Sequence, residues 1–472
     1  MHTARASESM DVTDPESGAL VGTVARHRQV DACAALDRAS GARADMADLP
    51  THARMAALRA SAHTLKGQVD TVAALIASEG IKTITEARSE VERAAETLRL
   101  SAEAARDLTG KTIRFDQYPT GVGRSGWAEP MPVGVVLGIT PFNDPLNLVA
   151  HKIGPAVAAG CPIILKPHEA TPLSALWLVD VLAEHLPKGA IEVLTGQGAE
   201  LVPPLLADDR VRLVSFTGGL ATGRKIAASA GVTRLVTELG SNCATIVMND
   251  ADLDLAVEAC VSGAIAAAGQ NCLHVQRIIA QRGIYQKLRE RLADGFSAVV
   301  TGPKKDPRTQ MGCLIDEASA IRVEAMGRNA VAAGARTLAG GLRDGVHYKP
   351  TLLECLRADD PILRDEVFGP ITALMSADDI DDAISQANAT PFGLQAAIFT
   401  QRLDDAYRAV RSLDVGTVIV NDSTDYRLDA MPFGGTGQSG VGREGVTAAV
   451  AAMSEPKVAC FRWLASLQGA AS

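Results

Sequence analysis

The sequence predicts an α/β fold in more than one domain, and this prediction rests on length, strand–helix alternation and composition. The chain has 472 residues, which is long for one ordinary domain, so two or three are expected. Apolar strand-like runs alternate with helical segments from residue 133 to residue 237 and again after residue 240. Such alternation is typical of βαβ units on a parallel sheet, where nucleotides commonly bind.

Composition and charge exclude several classes of protein. Hydrophobic residues make up 47% of the chain and charged residues 21%, as in globular proteins. The formal net charge of −9 argues against nucleic acid as a partner. No apolar run is long enough to cross a membrane and no signal-peptide core opens the chain, so we expect a cytoplasmic protein. The eight cysteines show neither a C-x-x-C pair nor metal-ligand spacing, so no metal site is expected.

The elements are predicted in chain order. A turn and a strand span residues 14–24, helical spacing covers 52–107, and a β-excursion rich in Gly and Pro covers 109–131. Strands are expected at 133–140, 161–166, 191–195, 211–216, 234–237, 244–248, 277–280 and 416–420, with an extended segment at 367–374. Helices are expected at 146–160, 171–186, 222–230, from 253, at 283–300, 315–333 and 380–388, and an apolar tail at 458–467.

One cysteine stands out because its surroundings suit a nucleophile. Cys272 ends the stretch AGQNC of residues 268–272, which follows a run of small residues that lets the backbone pack tightly around the thiol. Upstream, Glu238 lies in the stretch VTELGSN of residues 236–242 and can serve as the base that a thiol needs. A random cysteine is more often buried and structural, so the thiol alone would not predict catalysis.

These two stretches resemble the aldehyde dehydrogenase superfamily, as does Asn143 in the segment TPFNDP of residues 140–145. That family has a cysteine in a G-Q-x-C motif and a glutamate in an E-L-G motif, and the resemblance covers nearly the whole chain. The loop around Arg427 resembles the branch that contains lactaldehyde, succinate-semialdehyde and phosphonoacetaldehyde dehydrogenases.

The resemblance implies three parts: a Rossmann-like NAD-binding domain, an α/β catalytic domain and a small β oligomerisation element. The sheet edges of the β-excursion need a partner strand, so a homodimer or homotetramer is expected. The predicted boundaries are 1–113 with 132–240 for the NAD-binding domain, 241–445 for the catalytic domain, and 114–131 with 446–472 for the oligomerisation element.

The cofactor site must differ from the common dinucleotide fold, because no G-x-G-x-x-G follows any of the predicted strands. Instead, Thr217, Gly218 and Gly219 close a strand and Gly223 opens the next helix, where backbone N–H groups can hold a pyrophosphate. Glycines at such a turn are also commonly structural. The resemblance assigns this turn to NAD(P), although the family usually has serine at the position of Gly219.

Further cofactor contacts follow from the resemblance. Lys166 and Glu169, in the segment KPHE of residues 166–169, match positions that contact the adenosine ribose. A carboxylate there accepts both ribose hydroxyls and repels a 2′-phosphate, which favours NAD and leaves NADP possible. Leu239 of the E-L-G motif is placed with the cofactor. Glu366 and Phe368, in the segment EVFGP of residues 366–370, match the motif that holds the nicotinamide-side ribose.

The implied chemistry is oxidation of an aldehyde to an acid. The Cys272 thiolate attacks the aldehyde carbon, and the Asn143 side-chain amide with the Cys272 N–H stabilises the oxyanion. Loss of hydride gives a thioester, which water activated by Glu238 hydrolyses. Relatives that transfer the acyl group to coenzyme A commonly lack this glutamate, so hydrolysis is expected.

The substrate pocket is predicted to be polar. Alignment with the family places Arg93, His151 and Arg427 at tunnel positions that are usually apolar or aromatic, and Asn147 and Asn271 add polarity. Two buried guanidinium groups need an anion, which a carboxylate, phosphonate or sulfonate would supply. Phosphonoacetaldehyde dehydrogenases often have arginine immediately before the catalytic cysteine, where this chain has Asn271, so a shorter phosphonoaldehyde such as phosphonoformaldehyde is also considered.

Two alternatives stay open at this stage. The arginines can be neutralised by acids of the protein itself, with Arg93 paired to Glu92 or Glu96 outside the cavity and Arg427 paired to Asp425 or Asp429. The substrate would then be an uncharged small aldehyde such as lactaldehyde. The chain can also be a catalytically silent structural relative, against which the presence of Cys272, Glu238 and Asn143 argues.

Overall fold

The computed structural model describes residues 8–355, 357 and 359–463, and its first part is mainly helical. An antiparallel hairpin opens the chain, and five helices follow. These elements are β1 (Ser9–Thr13), β2 (Leu20–Ala25), α1 (Gln29–Gly41), α2 (Arg43–Asp48), α3 (Thr51–Gly67), α4 (Val69–Glu79) and α5 (Ile84–Asp107).

A six-stranded sheet forms the first α/β layer, and five of its strands are parallel. Apolar clusters lie on both faces, against α3–α7 on one side and α1 and α8 on the other, so the strands are buried on both sides. The elements of this part of the chain are β3 (Lys111–Ile113), β4 (Arg124–Pro132), β5 (Val135–Ile139), α6 (Asn147–Ala159), β6 (Ile163–Lys166), α7 (Leu173–Ala183), β7 (Ile191–Val193), α8 (Gly198–Leu206), β8 (Val211–Thr217), α9 (Leu220–Ser229) and β9 (Arg234–Glu238).

A seven-stranded sheet forms the second α/β layer, and its edge strand β12 is antiparallel to β15 while the other strands are parallel. Its strand order is β12-β15-β16-β11-β10-β18-β19. The elements are β10 (Ala244–Val247), α10 (Leu253–Ile265), β11 (Arg277–Gln281), α11 (Arg282–Ala298), α12 (Glu317–Ala332), β12 (Arg336–Ala339), β13 (Arg343–Asp344), β14 (His347–Tyr348), β15 (Thr351–Glu354), β16 (Ile371–Ala377), α13 (Ile380–Ala387), β17 (Phe392–Gly393), β18 (Gln395–Phe399), α14 (Leu403–Ser412) and β19 (Thr417–Val420).

The C-terminal segment returns to the first half of the chain. The short strands β20 (Thr436–Gly437) and β21 (Gly440–Val441) precede helix α15 (Val446–Ala452), and β21 joins the six-stranded sheet at β9 in the order β21-β9-β8-β5-β6-β7. The last strand, β22 (Ser454–Arg462), pairs along its whole length with β4, which also pairs with β3.

This three-stranded sheet is the predicted β-excursion joined to the C-terminal tail. Trp127 and Phe461 stack on it with ring centroids 5.3 Å apart and stay exposed, as does Val458. Exposed aromatic side chains and open strand edges suit a subunit interface. The oligomerisation role of this sheet stays a prediction. Residues 464–472, which belong to the predicted tail, lie outside the described residues.

Helix α5 and helix α6 position one wall of the site. Thr83 and Glu86 cap α5 reciprocally: the Thr83 N–H donates to Glu86 Oε2 at 2.8 Å, and the Glu86 N–H donates to Thr83 Oγ1 at 3.3 Å. Glu90 of α5 then caps α6, because its Oε1 accepts hydrogen bonds from the N–H groups of Leu146 and Asn147 at 2.7 and 3.0 Å. These hydrogen bonds fix the start of α6 relative to α5.

The α/β fold with parallel sheets is confirmed, and most predicted strands and helices lie within a few residues of the observed ones. Sequence reasoning missed α1, α8, α14, β15 and β18. The predicted domain boundaries stay a prediction. Within the described residues, no helix is long and apolar enough to cross a membrane, and no cluster of His, Cys, Asp or Glu side chains has the arrangement of a metal site.

Candidate active site

A cavity of about 1320 Å³ lies at the carboxyl ends of the first sheet's strands and extends to the loop after α10. This position, beyond the strand ends of a parallel sheet, is where such folds bind their ligands. Most predicted site residues line it: Arg93, Asn143, Lys166, Glu169, Thr217, Gly218, Gly219, Glu238, Leu239, Asn271, Cys272, Glu366, Phe368 and Arg427. Three predicted site residues are not part of the lining: Asn147, His151 and Gly223.

The loop before the cysteine has an unusual backbone. Helix α10 ends at Ile265, and Ala267, Ala268 and Gly269 then adopt positive φ values of 51°, 53° and 69°. Two consecutive alanines in the left-handed region cost about 1–2 kcal/mol each. At Gly269 a Cβ would lie 2.3 Å from the carbonyl carbon of Gly369, so only glycine fits. Backbone strain of this kind persists where the surrounding structure holds it, and it is common at functional sites.

Two hydrogen bonds from elsewhere in the fold hold this loop. The N–H of Ala267 donates to Glu86 Oε1 at 2.8 Å, which ties the loop to the start of α5. Gln270 accepts a hydrogen bond from the Ile315 N–H at 3.0 Å. The position of Cys272 is therefore set by the scaffold rather than by a mobile loop.

The thiol of Cys272 lies in a mainly apolar environment. It packs against the cluster of Leu273, Leu394 and Phe433. Burial raises its pKa well above 9, and the nearby positive charge of Arg427 acts in the opposite direction. A thiol in this environment needs a base to become a thiolate.

Glu238, which the sequence predicts as that base, lines the same cavity as Cys272. It ends β9 and is 2% exposed, and both of its carboxylate oxygens are buried without a hydrogen-bond partner among the described residues. Burial raises its pKa well above 4.5, and the negative charge of Glu444 raises it further. A buried carboxyl group of raised pKa is typical of a general base that works near neutral pH.

Asn143 supplies the amide. It follows β5 (Val135–Ile139) by a short loop, and its side-chain oxygen is buried without a hydrogen-bond partner among the described residues. The donor of the same amide is Nδ2, and because Asn143 lines the cavity with Cys272, this N–H group could donate to an oxyanion formed there.

The turn between β8 and α9 forms the other end of the cavity. An added Cβ at Gly219 would meet no atom within 4 Å, so the backbone is open to the cavity at the first turn of α9. The N–H of Gly218 is already bonded to the Glu238 carbonyl at 3.0 Å. Gly223 serves packing instead: a Cβ there would lie 2.4 Å from Leu239 Cδ2.

The predicted ribose-binding pair is formed within the protein. Lys166 Nζ lies 2.7 Å from Glu169 Oε1, which also accepts a hydrogen bond from the Gly198 N–H at 2.8 Å. Burial opposes ionisation of Glu169, yet Lys166 keeps its pKa below the ordinary value. A negative charge is therefore present at this end of the cavity.

Glu366 marks the boundary of the cavity below the cysteine loop. Its Oε1 accepts a hydrogen bond from the Ser241 N–H at 2.9 Å, and burial raises its pKa to about 7. An added Cβ at Gly240 would lie 2.3 Å from its Oε2. Phe368 follows in the left-handed region with φ 45° and packs edge-on against Phe142 at 5.9 Å.

Arg93 is neutralised by Asp429 rather than by its predicted partners. Asp429 accepts hydrogen bonds from Arg93 Nε at 3.2 Å and Nη2 at 2.9 Å. It also accepts from Asn147 Nδ2 at 3.2 Å and lies 2.9 Å from His151 Nε2. The predicted pairing of Arg93 with Glu92 or Glu96 is wrong, and Asn147 and His151 form a layer behind the cavity wall.

Arg427 pairs with Glu444, and the predicted pairing with Asp425 or Asp429 is wrong. Its Nη2 donates to Glu444 Oε2 at 3.2 Å, and its guanidinium lies 3.9 Å from the centroid of the Phe433 ring. The Arg427 side chain is 9% exposed, and its Nε is buried without a partner among the described residues. The guanidinium beside the cysteine thus keeps hydrogen-bonding capacity.

Several charged residues of the site were missed from the sequence. Lys152 is fully buried and pairs with Glu444 at 2.9 Å, and Lys82 pairs with Glu90 at 2.9 Å and with Asp144. The lysine inside the apolar run of α6 was a usable indication, since a buried lysine requires a buried acid.

The cavity combines a helix start with accessible backbone, a buried thiol, a carboxylate and an amide. This combination is typical of cofactor-dependent enzymes with a cysteine nucleophile. The chain belongs to the aldehyde dehydrogenase family, whose model, described as "Aldehyde dehydrogenase family", matches residues 2–459. The family predicted from the motifs is therefore confirmed.

Three relatives show where the chain lies within the family. It is 44% identical over 462 residues to "Aspartate-semialdehyde dehydrogenase 1" of Pseudomonas canavaninivorans, covering 96% of this chain and 97% of the relative. It is 42% identical to "3-sulfolactaldehyde dehydrogenase" of Priestia aryabhattai, over 86% of this chain and 85% of the relative. It is 34% identical to "Lactaldehyde dehydrogenase" of Methanocaldococcus jannaschii, over 95% and 96%.

Two solved structures share the fold over nearly the whole chain. Aldehyde dehydrogenase 21 of Physcomitrella patens, in complex with the reaction product succinate, has a TM-score of 0.95 and 34% identity, covering 98% of this chain and 96% of that chain. Glyceraldehyde-3-phosphate dehydrogenase GapN of Methanocaldococcus jannaschii, complexed with NADP, has a TM-score of 0.92 and 34% identity, covering 96% and 99%. The prediction of an NAD cofactor with NADP possible agrees with this family membership.

Proposed function

We propose that this aldehyde dehydrogenase oxidises a small anionic aldehyde to the acid with NAD, or NADP, and water. The observation that carries the proposal is the guanidinium of Arg427, which lines the cavity with Cys272 and makes only one side-chain hydrogen bond among the described residues, from Nη2 to Glu444. A carboxylate or sulfonate on the substrate would accept this donor.

The residues of the cavity divide the chemistry among them. Glu238 takes the proton of the Cys272 thiol, whose sulfur forms a bond to the aldehyde carbon. The Asn143 amide and the Cys272 N–H hold the resulting oxyanion. Glu238 then releases the thiol proton to solvent. After hydride loss leaves a thioester on the sulfur, Glu238 removes a proton from water, which attacks the acyl carbon, and Glu238 returns that proton to the departing sulfur. The acid leaves and the thiol is restored.

The cavity fits a nicotinamide dinucleotide at its other end. The open backbone at Gly219 and the first turn of α9 would hold the pyrophosphate, the Lys166–Glu169 pair the adenosine ribose, and Glu366 the second ribose. The cofactor accepts the hydride that the substrate loses. Glu169 favours NAD, because its negative charge repels a 2′-phosphate.

The relatives support an acidic substrate. Two of them are named for an amino-acid semialdehyde and a sulfonated aldehyde, and the similar structure from Physcomitrella holds a dicarboxylate product. A phosphonate, the group in phosphonoacetaldehyde and phosphonoformaldehyde, stays a prediction that rests on the sequence alone.

An uncharged aldehyde is the second candidate, and the bidentate pairing of Arg93 with Asp429 favours it. A panel of aldehydes at equal concentration separates the two. If succinate semialdehyde and sulfolactaldehyde are oxidised at least tenfold better than propionaldehyde and lactaldehyde by kcat/KM, and Arg427→Met removes the preference, the proposal stands. Equal use of propionaldehyde would overturn it.

A further inference from the structure

The acidic side of the substrate pocket has a carboxylate that nothing in the mechanism uses. Asp425 lines the cavity, and its Oδ1 accepts a hydrogen bond from the side-chain amide of Asn271, the residue before the nucleophile. Its own N–H donates to Ser423 Oγ at 3.1 Å. The loop is tied to the cysteine segment by the Thr424 hydroxyl, which donates to the Leu273 carbonyl at 2.7 Å. Asp425 is therefore held against Asn271, the residue that precedes the nucleophile.

This carboxylate has no cation of its own. Among the described residues Asp425 makes no ion pair, because Arg93 is bound by Asp429 and Lys82 by Glu90 and Asp144. Burial raises the pKa of Asp425 to about 7, which is consistent with a carboxyl group that lacks a compensating charge. The charged groups acting on it besides Arg93 are Glu86, Asp144 and Lys82.

The same cavity holds the opposite charge with spare capacity. Arg427 is about nine-tenths buried, lines the cavity, and makes one side-chain hydrogen bond among the described residues, from Nη2 to Glu444. A guanidinium donor for one anionic group and a carboxylate for one cationic group thus lie in one pocket, together with the thiol. A ligand with both charges would satisfy both, whereas a purely anionic ligand would leave Asp425 unpaired or protonated.

We infer that the preferred substrate is a zwitterionic α-amino-acid semialdehyde, with its ammonium group on Asp425 and its carboxylate on Arg427. This inference rests on the proposed oxidation of anionic aldehydes and names the substrate class within it. The relative at 44% identity is named as a dehydrogenase of aspartate semialdehyde, an aldehyde that carries these two charges.

The test compares L-aspartate semialdehyde with succinate semialdehyde, which differ by the α-ammonium group alone. The wild-type enzyme is expected to prefer the amino compound by kcat/KM, and Asp425→Asn is expected to lower the ratio of the two values roughly 10- to 100-fold, the loss of a hydrogen bond to a charged group. Asp404→Asn, which removes an exposed aspartate on α14, is the matched control for charge and should leave the ratio at the wild-type value.

The measured ratio of the two kcat/KM values decides whether the inference holds. A wild-type ratio near one, or a ratio unaffected by Asp425→Asn, overturns the inference. If both acids are used well and propionaldehyde poorly, the proposed function survives that failure; if propionaldehyde is used equally well, both fall. Should Asp425→Asn fold poorly, calorimetric binding of L-aspartate and of succinate to the Cys272→Ala protein gives the same comparison, and weaker binding of L-aspartate counts against the inference.

Discussion

Replacing Glu238 by glutamine should lower activity and raise stability at the same time. The side chain keeps its size but loses the base, so kcat should fall about 10²- to 10⁴-fold. The folded protein currently holds a buried carboxylate without a partner among the described residues, and burial raises its pKa above that of the unfolded chain. Such a group destabilises the fold above the unfolded pKa of about 4.3. At pH 8 the free energy of unfolding of the Glu238→Gln variant should therefore be about 1–2 kcal/mol higher than that of the wild type, because glutamine removes the charge but keeps buried polar atoms.

Two assays separate the parts of this prediction. Stopped-flow absorbance of NADH should show a single-turnover burst before slow steady state if Glu238→Gln blocks hydrolysis alone, and a slowed burst if Glu238 also deprotonates Cys272. Thermal melts should show the stability gain at pH 8 and its disappearance near pH 4, where the wild-type carboxyl is protonated in both states. The exposed Glu258→Gln variant is the control for charge. Unchanged kcat with an unchanged melting temperature would refute the reasoning.

Three further predictions concern the charges around the cavity. Asp429→Asn should destabilise the protein by about 1.5–3 kcal/mol, because it removes the bidentate partner of Arg93 and leaves only Asp144, 3.5 Å from Nη1; a melting temperature equal to wild type would show that Asp144 and solvent replace the pair. Glu169→Gln should raise the NADP-to-NAD ratio of kcat/KM roughly tenfold by removing repulsion of the 2′-phosphate, and a falling ratio would place Glu169 away from the ribose. The preference for L-aspartate semialdehyde over succinate semialdehyde should rise from pH 6 to pH 8, because Asp425 has a pKa of about 7 and binds ammonium when ionised; a flat profile contradicts this.

The fold was largely predictable because periodicity encodes it. The alternation from residue 133 to residue 237 predicted the parallel strands of the first sheet, of which β5 and β6 are buried along their whole length and β8 is buried except at Arg212. Helix α14 was missed although Leu403, Tyr407 and Val410 recur at helical spacing, so the sequence did carry its signal; in the structure these three side chains are exposed. Helix α8 contains Pro203 and Pro204, which read as a break although the helix continues through them.

The site residues that belong to sequence motifs were predicted to lie together, and they do. The ion-pair partners of the two arginines, which depend on contacts between distant parts of the chain, were not predicted. The motif residues Cys272, Glu238 and Asn143 line one cavity, and their catalytic roles stay predictions. The partners of Arg93 and Arg427 were chosen among nearby residues, whereas Asp429 lies 336 positions from Arg93. Such pairs form only when α5 meets the C-terminal loop, a contact that a single sequence does not reveal.

The most direct test of the proposed function is the identity of the acidic group that the enzyme requires, measured as kcat/KM for NADH formation with propionaldehyde, succinate semialdehyde, L-aspartate semialdehyde and sulfolactaldehyde. We expect the kcat/KM of the acidic aldehydes to exceed that of propionaldehyde by at least tenfold. Arg427→Met should remove this advantage, and Cys272→Ala should abolish the reaction with every aldehyde. Propionaldehyde oxidised as fast as the acids by the wild-type enzyme would contradict the proposed function.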